Sequence, residues 1–89
     1  MYKIIFSEDA KKGLKLLYKK SPQSIKKLTS LINELEQHPR TGTGKLEMLK
    51  YQHGKEIWSR RINREHRLVY SIDDNIITVI VISVFGHYE

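Results

Sequence analysis

"EIWSRRINREHRLVYSI", residues 56–72, decides how this chain folds. Its flanks, Glu56–Ile62 and His66–Ile72, read as strands, and Asn63, Arg64 and Glu65 between them form a polar connection of hairpin length. With the hairpin centred on Arg64, Arg61 stands directly across from Arg67. Ile57, Ser59, Val69 and Ser71 share the face of these two arginines, whereas Trp58, Ile62, Leu68 and Tyr70 point the other way and read as core. Arg60 is the one charged residue on the core side, and its aliphatic stem is expected to snorkel at a sheet edge.

After the hairpin, Asp73, Asp74 and Asn75 mark a second turn, and the run Ile76–Phe85 is a third strand. Before it, TGTGK is a loop, and GKLEMLK is a short strand with Lys45, Glu47 and Leu49 on one side, Leu46 and Met48 on the other, and Lys50 at its end. His53 and Gly54 form a further turn.

The first forty residues have a different period. Tyr2–Phe6 reads as a strand, and Ser7 caps a helix whose first turn holds Glu8 and Asp9, where the macrodipole favours negative charge. Ala10, Leu14, Leu17 and Tyr18 form its inward stripe. Ser21 followed by Pro22 starts a second helix, with the stripe Ile25, Leu28, Leu31, Ile32 and Leu35, which runs to about Glu36 and stops before Pro39. The expected fold is α+β: a single domain over residues 1–89, with two antiparallel N-terminal helices packed on one face of a twisted, four- to five-stranded, mainly antiparallel sheet.

Composition narrows the chemistry. There is no cysteine, which removes disulfides and thiolate sites and suits a reducing compartment, the cytoplasm by default. No apolar run is long enough to span a membrane. A net charge of +6 favours an anionic partner, and nucleic acid is the commonest one. The histidines at 38, 53, 66 and 87 lack metal-ligand spacing, so no metal or other cofactor is expected; His38 reads as a helix-end residue, His53 as a turn residue, and His66, at a strand start, as a solvated ring.

Two facing arginines require an anion between them, either a protein carboxylate such as Glu47 or a ligand phosphate. A solvated, salt-bridged sheet face satisfies the pattern as well as a site does. Taken together, however, a carboxylate, arginines, lysines and a histidine on one small sheet are the parts for phosphodiester transfer within RNA. That reaction needs a base for the ribose 2′-OH, cations for charge building on phosphorus, and an acid for the leaving 5′-oxygen. Tyr88, next to the last residue, adds a ring that stacks on a base or orients the phosphate. The same charge pattern also suits a basic module that binds RNA or the ribosome without cutting, or a domain that serves only to engage a partner protein.

TGTGKLEMLK, WSRRINREHRLVYSI and the terminal His87-Tyr88 resemble the YoeB/Txe toxins of the RelE/ParE superfamily. The resemblance implies a RelE-like, microbial-RNase-like fold and the toxin of a type II toxin-antitoxin system. Its implied activity is ribosome-dependent, metal-independent cleavage of mRNA in the ribosomal A site, leaving 2′,3′-cyclic phosphate and 5′-hydroxyl ends. By matching position, Glu47 resembles the general base, His87 the general acid and Arg67 the arginine that stabilises the transition state. Tyr88 resembles the residue that positions substrate, with Arg61, Lys50, Lys45 and Arg60 as supporting cations. The implied partners are the ribosome, mRNA, a YefM/Phd-like antitoxin, a second copy of the chain, and operator DNA only through the antitoxin. Three features depart from the family pattern. GKLEMLK stands where GKPEPLK is common, Glu89 follows the usual terminal tyrosine, and the first helix lacks the family's frequent tryptophans.

Overall fold

Ser7 ties the first helix to the last strand through one side chain. Its Oγ accepts the Ala10 N–H at 3.1 Å, capping the helix, and donates to the Ile82 carbonyl at 3.1 Å. The computed structural model describes residues 1–86. Strand β1 (Lys3–Phe6) leads through Ser7 into α1 (Glu8–Lys20), then a 3₁₀ turn at Pro22–Ser24, α2 (Ile25–Gln37), β2 (Glu47–Gln52), β3 (Lys55–Arg61), β4 (Arg67–Asp73) and β5 (Thr78–Ser83). The five strands form one sheet in the order β1-β5-β4-β3-β2, in which only β1–β5 is parallel. The expected α+β architecture is therefore present. No described helix is long and apolar enough to cross a membrane.

The helices bury the stripes their periodicity requires, with one exception. In α1 the buried row is Ala10, Gly13 and Leu17, while Tyr18 is 57% exposed. Gly13 is the cause: a Cβ there would lie 3.3 Å from the Cβ of Phe85, so the missing side chain lets the helix settle onto the chain beyond β5 and turns its contact row away from Tyr18. In α2, Leu28, Leu31 and Leu35 are buried against Leu68, Tyr70, Val79 and Val81 of the sheet. Ser21 does not cap α2. Its hydroxyl lies 2.7 Å from that of Ser24, the proline turn is 3₁₀, and the helix begins at Ile25.

The β3–β4 register places Arg61 opposite Arg67 and Trp58 opposite Tyr70, as the alternation predicts. The last strand is shorter than its apolar run. Ile76 and Ile77 are exposed in the turn, where Ile77 N–H reaches the Asp74 carbonyl at 3.3 Å and the Ile77 carbonyl accepts from Lys3 at 3.0 Å, starting the parallel pairing with β1.

Arg60 departs most from expectation. It does not snorkel at an edge but is wholly buried, because all its donors find acceptors inside the fold. Nε donates to the Tyr70 hydroxyl at 3.1 Å; Nη1 donates to Glu34 at 2.8 Å and the Thr43 carbonyl at 3.4 Å; Nη2 donates to the carbonyls of His38 at 2.7 Å and Thr41 at 2.8 Å. Thr43 returns to Glu34 through its amide at 2.9 Å and its hydroxyl at 2.6 Å. One guanidinium thus gathers the loop between α2 and β2. Gly42, at φ 130°, fits because a Cβ there would collide with the Glu34 carboxylate.

Thr43's hydroxyl and amide, with Arg60 adding to them, hold the Glu34 carboxyl below its ordinary value. At the other end of the sheet, Arg40 forks onto Glu56 at 3.0 Å through both Nε and Nη2 and reaches Asp74 at 2.8 Å, lowering both carboxyls. A carboxyl lowered in the folded state contributes stability that is fully present above its unfolded pKa, about 4.3 for Glu, and is lost as pH falls through the folded value. Urea unfolding should therefore show stability declining below about pH 4.3. Glu34→Gln should be less stable at neutral pH, with its deficit narrowing on acidification. A deficit constant with pH would contradict this account.

Candidate active site

The outer face of the sheet, opposite the helices, carries the charged residues. Glu47 on β2 pairs with Ser59 on β3, Ser59 with Val69 on β4, and Arg61 with Arg67. Partners across a sheet share a face, so these side chains converge. Arg67 is nearly enclosed, its side chain 16% exposed, and donates to the buried Ser59 hydroxyl from Nε at 3.1 Å and Nη2 at 2.7 Å. Nη2 also approaches the Lys45 carbonyl at 3.5 Å.

The Glu47 carboxylate is 62% exposed and stands 3.9 Å from Arg67 Nη2, an ion-pair separation too long for a hydrogen bond. The cation is thus held by its hydroxyl partner, and the carboxylate beside it is open to solvent. A fixed positive charge and an accessible carboxylate thus share one small surface, an arrangement able to bind an anion and accept a proton.

Lys50 reaches this face by an irregularity. The register steps from Met48 opposite Trp58 to Lys50 opposite Ile57, leaving Leu49 as the extra residue of a β-bulge. Strict alternation would place Leu49 with Glu47 and Lys50 on the far side; the bulge instead puts Glu47 and Lys50 on one face. The strand does not end at Lys50 but continues to Gln52.

Arg61 is exposed, and its amide is hydrogen-bonded to the Gly44 carbonyl, which fixes the loop that carries Lys45 beside it. Glu47, Lys50, Arg61, Arg67 and Lys45 therefore belong to one surface. Arg60 does not, because it lies on the opposite face with its donors consumed by Glu34, Tyr70 and the loop carbonyls. The remaining expected site residues, His87 and Tyr88, lie outside the described residues.

A model of the YoeB-like toxins of bacterial type II toxin-antitoxin systems matches residues 6–88. The chain belongs to this family. It is 35% identical over 77 residues to toxin YoeB of Escherichia coli K12, covering 86% of this chain and 90% of that protein. Among solved structures, the YoeB dimer of Staphylococcus aureus superposes with a TM-score of 0.80 at 34% identity, covering 98% of each chain. The heterotetrameric YoeB–YefM toxin-antitoxin complex of the same organism gives 0.77 at 35% identity, covering 99% of each chain.

Two residues of this YoeB-like toxin carry more than their sequence positions suggest. Ser59 reads only as a small polar residue on the arginine face, yet it holds the Arg67 guanidinium; its place on that face, two residues along the strand from the facing arginines, is the signal that could have found it. His66 is not solvated. Its ring is buried, stacks on Phe85 with centroids 4.4 Å apart, and accepts the Gly86 N–H at Nδ1 at 2.9 Å. The Gly86 carbonyl accepts from the Arg67 amide at 3.1 Å, so both backbone polar groups of Gly86 are held by the first residues of β4 and its approach. Gly86 itself takes φ 77°, a turn that favours glycine. No signal within the strand pattern separates His66 from a solvated ring, because its partners lie twenty residues away.

Proposed function

We propose that this YoeB-like toxin is a metal-independent, ribosome-dependent endoribonuclease that cuts mRNA in the ribosomal A site. What supports this reading is the Arg67 guanidinium, immobilised by Ser59, with the accessible Glu47 carboxylate 3.9 Å away. In the proposed reaction, Glu47 takes the proton of a ribose 2′-OH and O2′ bonds to the adjacent phosphorus. Arg67, with Arg61, Lys50 and Lys45 nearby, offsets the negative charge that grows on the non-bridging oxygens. The P–O5′ bond breaks, and the family pattern assigns His87 to donate the proton that O5′ needs and Tyr88 to position the substrate. The products are a 2′,3′-cyclic phosphate and a 5′-hydroxyl. Cationic side chains supply the charge stabilisation, so no metal enters the scheme.

The same likeness proposes the partners. The S. aureus relative is found in complex with YefM and as a dimer, which supports a YefM/Phd-like antitoxin and a homodimer here, with operator DNA met only through the antitoxin. The site of action is the cytoplasm, where translating ribosomes reside. The decisive experiment maps the ends of ribosome-bound message after exposure to the protein. New ends should be ligatable only after phosphorylation of their 5′-hydroxyls, and should appear undiminished in EDTA with ribosome-stabilising polyamine. Inhibited translation with no new ends would favour a non-catalytic ribosome binder, and 5′-phosphate ends would exclude this mechanism.

A further inference from the structure

Beside the Arg61 end of the site, a groove of about 420 Å³ runs between α2, the loop before β2 and the β3–β4 turn. Among the described residues, Lys27 of α2, Lys45 of the loop, and Arg61 and Arg64 of the hairpin line it, together with Ile62 and Asn63, and no carboxylate does. Among the described residues, none of these four cations forms an ion pair or hydrogen bond through its side chain. Arg40 and Arg60, by contrast, have carboxylate partners.

The groove is also rigid at its root. Asn63 Oδ1 accepts the amides of Glu65 and His66 at 2.8 Å each, and its Nδ2 donates to Ser24 at 2.6 Å, tying the turn that carries Arg64 to the start of α2. Four cations held close together, with no carboxylate among the described residues of the groove, repel one another, an arrangement that an anionic ligand relieves.

We propose that this groove is a second phosphate-binding subsite, which holds the single-stranded RNA backbone next to the phosphate being cut. The proposal rests on the nuclease reading and extends it to two residues, Lys27 and Arg64, with no role in the chemistry. Continuity favours the cut strand as occupant. Arg61 lines the groove and stands opposite Arg67, and the Lys45 carbonyl touches the Arg67 guanidinium. Arg64 is three residues from Arg61, at most about 10 Å of extended chain, so a strand leaving Arg67 meets the groove within a nucleotide or two. A cationic channel that follows the backbone without reading bases is the common way to hold single strands.

The test measures binding of a 2′-O-methyl RNA 12-mer, which lacks the attacking hydroxyl and cannot be cut, at about 50 to 200 mM salt. Each phosphate neutralised on a single strand contributes about 0.7 to the slope of log K against log salt, so Lys27→Ala/Arg64→Ala should lower that slope by about 1.4. Across that fourfold salt range, the wild type should lose about sevenfold more affinity than the variant. The control Lys12→Ala/Lys15→Ala removes the same charge from α1 and should leave the slope unchanged. Equal slopes for wild type and groove variant overturn the proposal, as does an equal loss in the control. A larger effect on an RNA duplex than on the single strand assigns the groove to ribosomal RNA and also overturns it. Loss of poly-glutamate binding with RNA binding intact assigns the groove to an acidic protein and overturns it too. The uncleavable strand reads the groove alone, while the nuclease reading stands or falls separately on the 5′-hydroxyl ends.

Discussion

Glu47→Gln is expected to slow cleavage of ribosome-bound message by about 10²- to 10⁴-fold while leaving ribosome binding intact. The substitution keeps the size of the side chain and the exposed strand that carries it, and removes only the ability to take a proton. Arg67→Ala should cost about 10²- to 10³-fold, because a preorganised cation aimed at developing charge is lost and neighbouring lysines cannot reproduce its fixed fork. Ser59→Ala should fall between wild type and Arg67→Ala, since the guanidinium stays and keeps the Lys45 carbonyl but loses its two bonds to Ser59. Single-turnover cleavage rates on programmed ribosomes measure all three. Wild-type rates for Glu47→Gln would remove this residue from the mechanism.

Arg60→Met is expected to destabilise the protein by about 2–4 kcal/mol, the cost of leaving the acceptors around a wholly buried guanidinium without their donor, eased by water at the 29%-exposed Glu34 side chain. Methionine fills part of the volume, but the Glu34 carboxylate loses its cation, and the carbonyls of His38 and Thr41 lose their donor. Adding Glu34→Gln should recover part of the loss, because the remaining partner is then neutral. Urea denaturation of the single and double variants measures the coupling. Arg60→Met should also slow cleavage, since the loop it gathers delivers Lys45 and Glu47; Arg60 acts there through position, with no contact to substrate. Unchanged stability with impaired cleavage would instead return Arg60 to the substrate surface.

The hairpin is legible in the sequence because its two faces differ so sharply. Slipping β4 by one residue against β3 would turn Leu68 and Tyr70 outward while Trp58 stayed inward, so the three-residue connection that sets Arg61 across from Arg67 keeps both apolar sets on one side. The helices are legible for the same reason, apart from Tyr18, where a glycine on the opposite flank of the stripe rotates the contact. The bulge at Leu49 is not legible, since alternation alone places Lys50 away from Glu47 and only the pairing with β3 shows the extra residue. His66 and Ser59 read as ordinary polar positions because their partners come from β5's exit and from β4.

From the sequence alone come the order of elements, the facing of Arg61 and Arg67 across a three-residue connection, and the side of the sheet that carries charge. These follow from periods of two and 3.6 residues and from turn chemistry, all of which are local. The folded chain adds that Arg60 is interior and Arg67 fixed, that Lys50 joins Glu47, and that His66 holds Gly86. Each of those outcomes depends on an acceptor, a donor or a register step contributed by a distant part of the chain. A polar side chain's place is set by the partner that satisfies it, and that partner's position exists only once the chain has folded.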